Sequence, residues 1–162
     1  MSLVLFRIDE RLLHGQVIVG WGMRLGIEYY VVVDDGLAGS DWEKDLYSAG
    51  LPEGTSAEFL SVDEAIEKFS ELDGRSGRGA ILTRGTKEMR ALGEAGHLLG
   101  RRVNIGGIHS VEGRQRALPY VYLTQDEADD LRAIEGASRS ITARDLPTGR
   151  EAQLGELLNA LD

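Results

Sequence analysis

The chain has 162 residues, about one domain's worth, since domains usually run to ~100–200 residues. Lys+Arg 18 against Asp+Glu 27 gives a formal net charge of −9, which argues against a nucleic-acid surface or an anionic-membrane patch, because both need clustered cations. There is no cysteine, so disulfides, thiolate nucleophiles and Cys-ligated metal centres are excluded. Imidazole can come only from His14, His97 or His109.

Strand and helix patterns alternate along the chain. Leu3–Ile8 is an apolar strand, followed by a helix from about His14 to Leu25. Glu28–Val33 is β-branched and aromatic and reads as a strand, Asp41–Ser48 as a short helix, and Ser56–Leu60 as a strand. Val62–Leu72 places Val62, Ala65, Ile66 and Phe69 at i, i+3, i+4 and i+7, one apolar helical face. Gly79–Thr83 is a strand, Thr86–Leu99 a helix and Arg102–Ile105 a strand. Tyr120–Leu123 then leads into a helix marked by the capping box Thr124-Gln125-Asp126-Glu127. Ser138–Ala143 and a last helix from about Thr148 to Leu161 complete the order. There is no basic and apolar leader, and the longest apolar runs are strand-sized, so the chain reads as cytosolic.

This alternation predicts an α/β fold, doubly wound, with a mostly parallel sheet and helices on both faces. Ligands of such folds sit beyond the carboxyl ends of the strands, near the topological switch point. The loops to search are 9–13, 34–39, 84–85 and 106–119. Nucleotide signatures fail: Gly20-Trp21-Gly22 lacks the third glycine and falls inside a predicted helix, and no P-loop or G-x-S-x-G elbow is present. Asp34-Asp35 resembles the acidic pair of a phosphoacceptor receiver domain, but the Asp and Lys required after the third and fifth strands are missing.

What remains is the first strand–helix junction, Phe6-Arg7-Ile8-Asp9-Glu10-Arg11-Leu12-Leu13-His14-Gly15-Gln16-Val17. A helix start offers free N–H groups to an anion, and arginine adds planar, bidentate phosphate recognition. Asp9 or Glu10 could orient the imidazole or hold the arginines. These are the parts of a phosphohistidine site, in which a neutral ring nitrogen attacks phosphorus and positioned donors bear the charge. The same residues also fit a His that caps or packs a helix end, with Arg11 in a surface ion pair. Composition and spacing do not choose between the two.

The run Arg7-Ile8-Asp9-Glu10-Arg11-Leu12-Leu13-His14-Gly15-Gln16-Val17, followed by Trp21, resembles the signature of enzyme IIB of the mannose/fructose/sorbose family of the sugar phosphotransferase system. The likeness continues through Val33-Asp34-Asp35, Asn104-Ile105-Gly106-Gly107-Ile108-His109, Thr124 to Glu127, and Ala143-Arg144-Asp145-Leu146-Pro147. The resemblance implies a single IIB domain over 1–162, again doubly wound α/β. It implies that His14, through Nδ1, accepts a phosphoryl group from a phosphohistidine on a IIA protein or domain. The group would then pass to a sugar held in a membrane IIC/IID complex, which would also place the protein at the inner face of the membrane. No cofactor or metal is implied.

Arg11 is the first choice for stabilising charge on the phosphoryl oxygens and Arg7 the second, with Asp9 and Gln16 in support. Gly106 and Gly107 let backbone approach an anion or permit positive φ, and His109 is placed to bind phosphate or share in transfer; a plain glycine turn with a surface His is the alternative. Arg114 and Arg116, in the 110–119 segment where the chain departs most from the family, offer a basic rim for a donor. His97 reads as a surface or packing residue. A regulatory phosphocarrier without sugar transport, and a non-covalent anion-binding module, remain open beside the transport reading.

Overall fold

A computed structural model describes residues 1–162. Five strands, β1 (Leu3–Ile8), β2 (Tyr29–Val33), β3 (Ser56–Leu60), β4 (Gly79–Thr83) and β5 (Arg102–Ile105), join β8 (Ser140–Ala143) and β9 (Ala152–Gln153) in one seven-stranded sheet. The order is β3-β2-β4-β1-β5-β8-β9, parallel throughout except for the antiparallel β8–β9 edge. β2 and β4 are buried at every position, as expected of central parallel strands covered on both faces.

Helices cover the two faces unequally. On one side α4 (Val62–Asp73), α5 (Thr86–Glu94), α6 (Gln125–Ala137) and α7 (Leu154–Asn159) pack with Phe6, Ile8, Val31 and Ile105 into a cluster of 29 buried residues. On the other, a π-helical segment (Gln16–Gly22), its continuation α1 (Met23–Leu25), α2 (Asp35–Ala38) and α3 (Asp41–Ala49) cover Leu5, Tyr30, Val32 and Leu82, in a cluster of 11. β1 therefore feeds one face while its neighbours β4 and β5 feed the other. That reversal puts the loop after β1 at the switch point, where such sheets hold their ligands.

The doubly wound expectation is met, and four boundaries move. The first helix begins at Gln16, so His14 lies in the preceding loop, although its carbonyl already accepts the N–H of Ile18 at 2.9 Å. The helix expected to reach Leu99 stops at Glu94, because Gly96 adopts φ +85° and turns the chain. Residues 115–123 form an unforeseen antiparallel hairpin of β6 (Gln115–Leu118) and β7 (Val121–Leu123) outside the main sheet. The last helix covers only Leu154–Asn159, since Pro147 and the turn closed by Gly149 N–H on the Leu146 carbonyl hold 144–149 as a loop. The Thr124 capping box is present as read, and α4 carries a second one on Ser61 and Glu64.

Gly20-Trp21-Gly22 serves packing. A Cβ at Gly22 would overlap the buried Tyr30 hydroxyl, and one at Gly20 would stand 3.1 Å from Leu146. Gly22→Ala is expected to cost about 1–3 kcal/mol through overpacking. Most of that loss should vanish in a Tyr30→Phe background, where the remaining ring carbon stands 3.4 Å from the new methyl. Chemical denaturation of the two single variants and the double variant checks the coupling.

Candidate functional site

The site is built around a carboxylate. Asp9 is the first residue after β1, and its backbone N–H is fixed by the Thr83 carbonyl at 2.9 Å, so it stands at the carboxyl end of the sheet. Its side chain is fully buried and accepts from five donors. Oδ1 takes the Arg11 backbone N–H at 3.0 Å and Arg11 Nε at 3.1 Å. Oδ2 takes Arg7 Nη2 at 3.0 Å, Arg11 Nη2 at 3.1 Å and His14 Nε2 at 3.3 Å. Burial opposes the charged form of Asp9, but the hydrogen bonds from His14 and Arg11 and the charge of Arg7 outweigh it. They hold the carboxyl well below the usual carboxylate range.

The same contacts orient His14. Nε2 is directed at Asp9, whose ionised carboxylate can only accept, so Nε2–H is the donor of this contact. Nδ1 has no hydrogen-bond partner, and the side chain is 17% exposed, so one ring nitrogen is anchored while the other is available. The backbone contributes too: Leu12 has φ +54°, the only positive value outside glycine, and its side chain is fully buried. A conformation of this kind costs about 1–3 kcal/mol and persists only where its surroundings impose it. Here the buried Leu12 side chain and the bond from its N–H to the Asp9 carbonyl impose it, two residues before His14.

The sequence-derived candidates separate into layers. Arg11 is 31% exposed; Nε and Nη2 are engaged by Asp9, Nη2 also lies 3.4 Å from Asp145, and Nη1 has no partner. Arg7 is fully buried. It donates to Asn104 Oδ1, to the Arg144 carbonyl at 2.9 Å and to the Asp145 carbonyl at 3.0 Å, and it lies 5.1 Å from the centre of the Trp21 ring. Burial lowers its pKa against the pull of Asp9. As placed, Arg7 supports Asp9 from beneath and does not reach the surface on which a phosphoryl group would arrive. Gln16 opens the helix, and its Oε1 is buried without a partner.

Gly106 and Gly107 both lack positive φ, which removes that explanation for them. They matter through space: a Cβ at Gly106 would collide with the Arg7–Asp9 pair, and one at Gly107 would stand 3.1 Å from Arg11 Nη2. His109 turns to Glu10, with Nδ1 at 3.0 Å and its backbone N–H at 2.9 Å from Oε2. The expected basic rim is corrected at Arg114, which is 15% exposed and ion-paired to both Glu10 and Glu127, so its charge is already met. Arg116 is exposed on β6, in no ion pair. His97 packs as read, stacked on Phe69 at 4.2 Å and bonded to the Ile66 carbonyl.

Sequence reasoning passed over Asn104, Trp21 and the 144–145 turn as site parts, although each lay in a quoted segment. Asn104 sits opposite Arg7 in the β1–β5 register, and Trp21 Nε1 donates to the Asp145 carbonyl at 2.9 Å. No group of three or more His, Cys, Asp or Glu is arranged to hold a metal ion.

The family model described as the PTS system sorbose subfamily IIB component matches residues 3–161. The chain therefore belongs to the sorbose-subfamily IIB components of the phosphotransferase system, a family of sugar phosphotransferases. It is 29% identical over 154 residues to the N-acetylgalactosamine-specific phosphotransferase enzyme IIB component 1 of Escherichia coli K12, covering 94% of this chain and 96% of that one. It is 24% identical over its whole length to the mannose-specific EIIAB component of the same strain, of which it covers 50%. The IIBSor domain of the sorbose permease of Klebsiella pneumoniae shares the fold, with TM-score 0.89, 18% identity, and coverage of 100% of this chain and 99% of that one.

Two predictions follow from the buried charges. Asp9→Asn leaves the Arg7 guanidinium buried without its counter-ion and is expected to cost about 3–5 kcal/mol. Because Asp9 titrates lower when folded than when unfolded, its stabilisation is complete above the unfolded value of about 3.9 and drains away as pH falls below it. The gap between wild type and Asp9→Asn in denaturant unfolding should thus hold steady from about pH 7 to 5 and narrow below about 4. Gly106→Ala should destabilise by about 1–3 kcal/mol by forcing the Arg7–Asp9 pair apart. In a histidine nitrogen spectrum it should also disturb the His14 signals, and an unchanged His14 environment would contradict the arrangement.

Proposed function

We propose that residues 1–162 act as one phosphoryl carrier unit, with His14 Nδ1 taking a phosphoryl group from a phosphohistidine of a IIA protein. The donor's P–N bond breaks as the bond from phosphorus to Nδ1 forms, and the donor imidazole leaves with the electron pair. In the second step a sugar hydroxyl attacks phosphorus, the P–N bond to His14 breaks with its electron pair returning to Nδ1, and the hydroxyl proton passes to solvent. The sugar is held by a membrane IIC/IID complex, which brings this chain to the cytoplasmic face; no helix of the chain itself is long and apolar enough to cross a membrane.

The observation that carries this reading is the Asp9–His14 contact. It holds the imidazole by one nitrogen and leaves Nδ1 without a hydrogen-bond partner, and it supports the positive charge that appears on the ring once Nδ1 is phosphorylated. Arg11 stands beside it with Nη1 uncommitted, so a phosphoryl oxygen would meet a cation already fixed by Asp9. Gln16, two residues after His14, opens the helical segment that follows the loop. Arg7, Gly106 and Gly107 act as positioning residues. The family membership and the relatives' names, sugar-specific in each case, favour transport over a purely regulatory carrier.

The test is incubation with a phosphorylated IIA protein, followed by intact mass and adduct stability. One phosphoryl group, labile in acid and stable in base, is expected on the wild type and none on a folded His14→Ala. Arg11→Lys keeps charge but loses the planar fork and should slow transfer; Arg11→Ala should slow it by ~10²–10³. Wild-type uptake by His14→Ala would remove the assignment.

A further inference from the structure

We infer that an apolar strip reaching from the π-helical segment to α3, with His14 at its edge, is the surface on which the IIA phosphoryl donor docks; this rests on the function proposed above. Val19 is 61% exposed, Met23 71%, Trp42 69% and Leu46 66%. Large apolar side chains this open to water mark an interaction surface where they are contiguous. Val19 and Met23 are four residues apart on one helix, and Trp42 and Leu46 are four apart on the other, so each pair shares a helix face.

The two helices cover the same face of the sheet, and between them lies a depression of about 360 Å³. It is lined by Leu13, His14, Ile18, Val19, Leu46 and Tyr47, among others. The nucleophile, Val19 and Leu46 thus open onto one concavity, and Met23 and Trp42 continue the two helix faces one turn beyond Val19 and Leu46.

Three observations select the donor as occupant. Its phosphorus must come within bonding distance of His14 Nδ1, so its surface must cover the ground beside His14. The mannose-specific EIIAB relative joins A and B components in one chain, of which this chain matches half, so a IIA surface is the partner that accompanies this fold there. Finally, the cations at the site are already neutralised: Arg11 by Asp9 and Asp145, and Arg114 by Glu10 and Glu127. Of the arginines in the expected rim only Arg116 keeps an unpaired charge, while Trp42, a residue type enriched at interface hot spots, is open. The donor face is therefore apolar around its own phosphohistidine. The contact is small, below ~1,200 Å², as suits a carrier that must release.

The experiment compares two phosphoryl donors on the same proteins: a phosphorylated mannose-class IIA protein, and phosphoramidate, too small to use a docking surface. Wild type, Leu46→Asp and Trp42→Ala are assayed after unfolding midpoints establish that the variants are folded. The expected result is a IIA-driven rate reduced by roughly 10-fold or more in each variant, with the phosphoramidate-driven rate unchanged. Raising salt should leave the wild-type IIA-driven rate nearly constant. IIA-driven rates equal to wild type in both variants would overturn the docking surface while leaving the phosphocarrier intact. A wild-type dimer in sedimentation that dissociates in Leu46→Asp would give the strip to a second copy and overturn it as well. Failure of His14 to accept phosphate from either donor would sink the proposed function and this inference together.

Discussion

The arrangement depends on one buried carboxylate. Asp9 gathers two arginines and a histidine that would otherwise repel or wander, and it does so without exposure to water, where each contact would be weakened by solvent. A lone buried carboxylate would protonate; this one stays ionised because His14 and Arg11 donate to it and the charge of Arg7 lies beneath it. Removing Asp9 strands the buried Arg7 guanidinium, and removing Arg7 takes away the buried counter-ion of Asp9. The fold supplies the remaining constraint. The chain leaves β1 toward the face opposite to the one its neighbours β4 and β5 feed, and the positive φ of Leu12 turns it so that the His14 imidazole reaches back to Asp9.

Such a cluster stabilises little for its size, since pairing offsets a desolvation penalty of several kcal/mol per ion. Its return is geometric. The tautomer, the ring orientation and the Arg11 fork are set before any partner arrives, so no reorganisation is needed at the moment of transfer. A second set of charges, Glu10 with Arg114 and His109, and Arg114 with Glu127, ties the same loop to the start of α6. Glu127 is also the capping-box residue of that helix, so helix start and active loop share one side chain.

Much of this was legible in the residues. The six parallel strands, the switch-point loop and the Arg-Asp-Arg-His run follow from apolar periodicity and local spacing, both short-range properties. What was hidden is long-range. Arg7 meets Asn104 across 97 residues of sequence and the Arg144 carbonyl across 137. The 144–145 turn works through backbone carbonyls, which accept from Arg7 and Trp21 and leave no side-chain signature. Spacing offered Asp9 and Glu10 as equal partners for the imidazole; only the fold separates them, pointing Asp9 inward and Glu10 to Arg114. The Gln115–Leu118 strand escaped because Gln-Arg-Ala-Leu has neither a long apolar run nor β-branched residues. The exposed apolar strip was likewise invisible, because periodicity finds the face a helix buries and is silent about a second face left open.

The central claim is that Asp9 anchors Nε2 of His14 and leaves Nδ1 to carry phosphorus. A long-range nitrogen–phosphorus correlation spectrum of the phosphorylated protein tests it directly. The account predicts phosphorus coupled to Nδ1, with Nε2 protonated and shifted as a hydrogen-bond donor, and loss of that shift in Asp9→Asn. Phosphorus on Nε2, or an Nε2 signal indifferent to Asp9→Asn, would contradict it.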